Sequence, residues 1–119
     1  RMHDDTALQA LVMMNGPAFV EAARELATKV LDRRARSNKE RIVLAYQMVL
    51  NREPTKPETT TLLKLLTEQL RVYQANHKAA QSLVQIGDSV PAERHPTAHL
   101  AAWTTLCNVL LGLDEAISN

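Results

Sequence analysis

Apolar residues recur every three to four positions through most of the chain, as they do on one face of an amphipathic helix. The commonest residues include Ala, Leu, Glu, Lys, Arg and Gln, all of which favour helices. β-Branched residues never form the alternating run that is typical of a strand. The pattern therefore predicts an all-α fold, a compact antiparallel bundle of five or six helices.

The first three predicted helices each have a start or stop signal. The first spans about residues 6–14 and stops before Gly16, because glycine tolerates the left-handed turn that follows many helices. Pro17 opens the second helix, at a position where the missing amide hydrogen costs nothing. Ser37 and Glu40 form a capping box for the third helix, which ends near Asn51.

The second half of the chain has a clear helix start and one long connection. Thr55 and Glu58 form a capping box for the fourth helix, which either continues past Asn76 or restarts there and ends at Gly87. Residues 87–97 exceed the ordinary connection of about 4–6 residues, so we expect them to be functional or mobile. The last predicted helix, at about 97–117, has a broad apolar arc and is expected to be the centre of the bundle.

Length and composition limit the classes of protein. The 119 residues fit one domain, 1–119, and the opening at Arg1 with Met2 second leads us to expect a fragment excised from a larger protein, with any targeting signal upstream. A net charge of +1 gives no overall basic excess that would favour nucleic acid. Cys107 is the only cysteine, which excludes an internal disulfide. No apolar stretch approaches the roughly 18 residues of a membrane span.

Several motifs occur in an order that is found in a known family. They are Thr-Ala-Leu-Gln-Ala-Leu at 6–11, Met-Asn-Gly-Pro at 14–17, Asn-Arg-Glu-Pro-Thr at 51–55, Ala-Ala-Trp-x-x-Leu-Cys at 101–107 and Leu-Leu-x-Leu-Asp-Glu at 110–115. Over nearly its whole length the chain resembles the uncharacterised C-terminal domain of planctomycete-type bacterial proteins that often carry an N-terminal cytochrome c domain. Gly112 and Ala116 stand where that family usually has Asn and an aromatic residue, so no role is transferred to them.

The resemblance implies a secreted or surface-exposed, and therefore extracytoplasmic, bacterial protein. It also implies a domain without an assigned activity within a large protein. It implies no haem in this chain, because c-type attachment needs Cys-x-x-Cys-His and the chain has one cysteine. We therefore expect no cofactor here.

One turn holds most of the candidate interaction residues, which are Arg52, Glu53, Pro54, Thr55 and Glu58. They could contact a ligand or a partner. The spacing favours a structural role, in which Arg52 ties the turn to a helix end and Glu58 completes a cap.

Four further side chains could serve chemistry but have simpler explanations. Trp103 could be a ligand platform, yet a lone tryptophan on an apolar helical stripe favours the core. Cys107 lies on the same face, which favours a buried, inert thiol over a nucleophile. His95 and His99 have the spacing of a helical metal pair, but Pro96 lies between them and no third ligand follows by spacing, so no metal site is expected.

A basic cluster is the remaining candidate. Its members are Arg33, Arg34, Arg36, Lys39 and Arg41. No aromatic residue interleaves with them, as single-strand nucleic-acid binders usually require, so a solvated connection between helices is favoured over a polyanion site.

These observations lead to three hypotheses about function. The leading one is a non-catalytic helical module, not an enzyme by itself, that packs against other domains of its parent protein. The second is an accessory domain that completes a redox or hydrolytic site formed by upstream domains, an idea that rests on the resemblance. The third is polyanion or nucleic-acid binding through the basic cluster between Arg33 and Arg41.

Overall fold

The computed structural model describes residues 16–118. Five helices and no strand lie in that range, which confirms the all-α prediction. The helices are α1 (Pro17–Asp32), α2 (Asn38–Leu50), α3 (Lys56–Ala75), α4 (His77–Val84) and α5 (Thr97–Ser118). The helix predicted at about 6–14 lies outside the described residues.

The sequence signals for helix ends are found where they were predicted. Pro17 is the first residue of α1. The Ser37 hydroxyl accepts a hydrogen bond of 3.1 Å from the Glu40 amide at the start of α2. Asn51 ends α2 in the left-handed conformation, with φ of 59°, which asparagine tolerates better than most residues.

The choice between one long fourth helix and two shorter ones is settled by Asn76. Its side chain accepts a hydrogen bond of 3.0 Å from the Ala79 amide, so α4 starts afresh after α3. The predicted end at Gly87 was too late, because α4 ends at Val84. The Val84 and Ile86 carbonyls accept hydrogen bonds from a side chain of α1, which gives these end groups a partner outside the helix.

The centre of the fold is α5, as predicted. Every residue from 100 to 110 is buried, and α5 contacts each of the other four helices. The burial includes polar side chains: the hydroxyls of Thr104 and Thr105 donate to carbonyls one turn earlier, at 2.7 and 3.2 Å. Trp103, with 1% of its surface exposed, lies in this core.

The length and composition of this helix correct one expectation. Thr97–Ile117 has a mean hydropathy of 1.2 and is long and apolar enough to cross a membrane by these two criteria. The statement that no apolar stretch approaches a membrane span is therefore wrong for α5. However, 67% of that segment is buried inside the protein, as expected of a helix that other helices surround.

Candidate functional site

The turn between α2 and α3 contains the capping box that the sequence predicts. The Thr55 hydroxyl accepts from the Glu58 amide at 3.2 Å, and the Glu58 carboxylate accepts from the Thr55 amide at 2.8 Å. Two amides that the first turn of α3 leaves unpaired are thereby satisfied. This geometry fixes the position of Glu58 beside α2.

The Glu58 carboxylate is buried, with 4% of the residue exposed, and accepts from four donors. Beyond the Thr55 amide, the two terminal nitrogens of Arg52 donate at 3.1 Å each, and the Tyr46 hydroxyl donates at 2.8 Å. The Arg52 guanidinium also lies 4.9 Å from the centre of the Tyr46 ring, within the range of a cation–π contact. The hydrogen bonds of the Glu58 carboxylate therefore hold the turn in place.

Two opposing effects act on the pKa of Glu58. Burial raises the pKa, but the hydrogen bonds from Arg52, from the Thr55 amide and from Tyr46 together outweigh burial and leave the pKa below its usual range. The group is thus held as a carboxylate by its partners. A general acid would need the opposite arrangement, with the protonated form stabilised.

The structure brings together only part of the candidate set from this turn. Arg52, Thr55 and Glu58 form one network, whereas Glu53 is exposed and contributes its carbonyl oxygen to Arg52 at 3.2 Å. Pro54 is half-buried and lines a surface groove along α3. Tyr46 is a further member of the network that was not among the candidates, and the need of a buried phenol for a hydrogen-bond partner is the signal that could have added it.

A second polar cluster, centred on Arg24 of α1, was not anticipated. Arg24 is fully buried. Its guanidinium donates to the carbonyl oxygens of Val84, Ile86 and Ser89 at 2.8, 3.1 and 3.2 Å, and to the Ser89 hydroxyl. The Glu25 carboxylate lies 3.0 Å from it. Arg24 therefore closes the end of α4 and binds the following connection to α1.

The sequence contains a signal for this arginine. Val20, Ala23 and Ala27 are buried at helical spacing, and Arg24 occupies the same face of α1. An arginine within an apolar stripe needs several acceptors, because a buried charge without partners is strongly unfavourable. The acceptors lie some 60 positions further along the chain, so the spacing alone could not identify them.

Glu21 also attaches the connection after α4 to α1. Its carboxylate accepts from the Ser89 amide at 2.6 Å. The pKa of Glu21 is lowered by hydrogen bonds from the Ser89 hydroxyl and from the amides of Ser89 and Asp88. The beginning of the 87–97 connection is therefore packed on α1, which favours a structural role over mobility for this part.

The end of that connection is held by Asp32, the last residue of α1. Arg94 donates to the two Asp32 oxygens at 2.9 and 2.5 Å, and His95 Nε2 lies 2.7 Å from the first oxygen. Hydrogen bonds from Arg94 and then from His95 lower the pKa of Asp32. His95 is therefore directed at α1, and the predicted start of a helix after His95 is confirmed by α5 beginning at Thr97.

Two further candidates are placed in the core or along its edge. Cys107 is fully buried, and burial raises the pKa of its thiol, which opposes formation of the reactive thiolate. His99 has a buried Nδ1 atom for which the described part of the chain offers no hydrogen-bond partner. Within residues 16–118, no three His, Cys, Asp or Glu side chains are grouped so that they could hold a metal ion.

Two side chains of the basic cluster form contacts within the fold, and others are exposed. Arg41 donates to the carbonyl oxygens of Val30 and Arg33, both at 2.6 Å, and so closes the end of α1. Arg36 lies 3.5 Å from Glu40, one turn away. Arg34 and Lys39 are exposed. Two of the five basic side chains are thus occupied by the fold.

A surface groove lies along α3. The groove has a volume of about 850 Å³, and Lys39 of α2 is among its lining residues. The α3 residues that line it include Lys56, Thr60, Leu63, Lys64 and Thr67. This groove is defined here as the lysine groove, and it contains no histidine, cysteine or aromatic side chain among the described residues.

Comparison with known proteins shows similarity to a family of unknown function. The model of a family described as a protein of unknown function, DUF1553, matches residues 1–66, more than half of the chain. No curated protein and no solved structure matches the chain.

Proposed function

The chain belongs to the DUF1553 family of unknown function, and we propose that it is a non-catalytic helical module that packs against other domains of a larger protein. The observation that supports this proposal is the use of buried charge. Within residues 16–118, Arg24 and Glu58 are the buried charged side chains, and both hold helix ends. A catalytic group usually lies in a cleft with its reactive atom accessible to substrate.

The proposal extends to the surroundings of the module. The resemblance to planctomycete-type proteins supports an extracytoplasmic location and an upstream cytochrome c domain. Any haem would then be bound by the upstream part, because this chain has a single cysteine. The partners of the module are the other domains of the same protein.

A deletion experiment tests the packing function. The full-length parent is compared with a version that lacks residues 1–119, and the melting temperature of each is measured by calorimetry. We expect the deletion to lower the melting temperature of the remaining domains, and added residues 1–119 to raise it again, because a partner that binds only the folded state stabilises that state.

The same experiment separates packing from an accessory role in catalysis. If the deletion leaves the melting temperature unchanged but abolishes a redox or hydrolytic activity of the parent, the module completes an active site, and the non-catalytic proposal is wrong. If the deletion changes neither property, packing against the remaining domains is also excluded.

A further inference from the structure

We propose that the lysine groove binds an acidic, partly apolar polypeptide segment from another domain of the parent protein. The inference rests on the proposed function and names the surface and the chemistry of the contact. The evidence for this proposal is the charges around the groove, their positions on the helices and the apolar residues between them.

The first observation is that the groove lysines are not neutralised by the fold. Lys39, Lys56 and Lys64 are exposed, and none of them forms an ion pair among residues 16–118. The lining carboxylate, Glu68, is paired with Arg71. The groove therefore presents positive charge that other parts of the described surface do not balance.

Most of the arginines among residues 16–118 behave differently. Arg24, Arg36, Arg52, Arg71 and Arg94 each have a carboxylate partner. Arginine thus supplies most of the ion pairs within residues 16–118, whereas none of the five lysines there forms one, and three of these lysines line the groove. Lysine is a compact, flexible charge that suits contacts with a partner of variable geometry.

The second observation is that two of the lysines occupy positions that disfavour their own helices. Lys56 is the first residue of α3, and Lys39 is the second residue of α2. The amino end of a helix carries partial positive charge, so a cation at this end is unfavourable and an anion is favourable. Negative groups bound in the groove would offset both the lysine charges and the helix ends.

The third observation selects the kind of anion. Leu63 and Pro54 are half-buried and line the groove together with the threonines. A segment that mixes Asp or Glu with apolar side chains fits such a surface better than a uniformly polar polyanion. No aromatic side chain among the described residues lines the groove, whereas single-stranded nucleic acid usually stacks on aromatic rings.

Fluorescence anisotropy with a labelled peptide of alternating glutamate and leucine tests this inference on the complete chain. A peptide with glutamine in place of glutamate serves as the charge control. We expect the unmodified chain to bind the glutamate peptide, with weaker binding at higher salt, and the triple variant Lys39→Gln, Lys56→Gln, Lys64→Gln to lose about tenfold in affinity. Arginine at the same three positions should keep the affinity within about twofold.

A matched control uses lysines outside the groove. Lys29 of α1 and Lys78 of α4 are also exposed, and Lys29→Gln with Lys78→Gln should leave the affinity unchanged. The inference is overturned if the unmodified chain does not bind the glutamate peptide, if the glutamine peptide binds equally well, or if the control pair loses as much affinity as the triple variant.

Other occupants of the groove give distinct results. Binding of heparin that is tighter than binding of the glutamate peptide, and that the triple variant loses, would assign the groove to a uniformly polar polyanion. Concentration-dependent dimerisation that the triple variant abolishes would assign the groove to a second copy. Both results contradict the inference.

The deletion experiment keeps this inference separate from the function it rests on. If the triple variant still restores the melting temperature of the truncated parent, the module packs by another surface, so the groove inference fails while the packing function stands. If the unmodified chain does not restore it, the packing function fails.

Discussion

The Arg24 guanidinium lies inside the protein and donates to three main-chain carbonyl oxygens. Arginine is almost never fully buried unless it is paired, and here Glu25 and Glu21 lie 3.0 and 3.9 Å away. The planar fork of a guanidinium reaches acceptors in several directions at once. A single side chain therefore joins α1, the end of α4 and the connection that follows.

Replacement of Arg24 by lysine keeps the charge but removes the fork. We expect Arg24→Lys to lower the free energy of unfolding by about 2–3 kcal/mol, because an ammonium cannot satisfy the same set of acceptors. Urea denaturation followed by circular dichroism measures this. Arg71→Lys is the control, since Arg71 and Glu68 form an exposed pair, and it should change stability by less than about 1 kcal/mol. Equal effects would contradict the role given to Arg24.

Two features require glycine at position 87, namely its backbone conformation and the closeness of the Glu21 side chain. Its φ is +103°, and a Cβ added there would lie 2.7 Å from the Cβ of Glu21. We expect Gly87→Ala to cost about 1–3 kcal/mol of stability. Gly16→Ala is the matched control, because nothing lies within 4 Å of an added Cβ there, and it should stay within about 0.5 kcal/mol. Thermal melting of both variants distinguishes the two sites.

Among the elements, α3 depends most clearly on its first turn. Thr55→Ala removes the hydroxyl that accepts from the Glu58 amide and should cost about 1 kcal/mol, whereas Thr55→Ser should keep most of the stability. Thr60→Ala tests an exposed threonine further along the same helix, where alanine favours the helix and no loss is expected. A loss at Thr60 as large as at Thr55 would show that capping is not the cause.

The boundaries of the elements were predictable where the signal is local. Pro17, Ser37 and Thr55 act within one turn of themselves, so the starts of α1, α2 and α3 follow from the sequence. Asn76 left two alternatives open, because asparagine caps a helix or lies inside one, and the structure shows the cap. The early end of α4 was not predictable, because its partner Arg24 is 60 positions away.

At the scale of the whole molecule, distance along the sequence again decides which of the two candidate sites could be predicted. The turn network was predictable because Arg52, Thr55 and Glu58 are close in sequence and in space. The lysine groove was not, because Lys39 comes from α2 and the other two lysines from α3. By sequence, Lys39 belongs to the basic cluster of the α1–α2 connection. The fold assigns it to a different surface.

Carboxylates join the distant parts of the molecule. Asp32 and Glu21 connect α1 to the two ends of the segment before α5, and Glu58 connects α3 to α2. The pKa of each of the three is lowered in the folded protein. A carboxyl whose pKa is lower in the folded than in the unfolded chain adds stability above its unfolded pKa of about 4, and that stability is lost as the pH falls towards the lowered pKa.

The stability of the protein should therefore decrease on acidification below about pH 5. We expect Asp32→Asn to be less stable than the unmodified chain at about pH 7, and the difference to shrink at about pH 3, because the unfolded chain already binds a proton at this carboxyl there, which removes part of the stability that the lowered pKa supplies. Glu115→Gln, at an exposed position near the end of α5, should leave the pH dependence unchanged. Urea denaturation across this pH range measures all three proteins. A difference for Asp32→Asn that stays constant with pH would mean that Asp32 acts through packing and not through its charge.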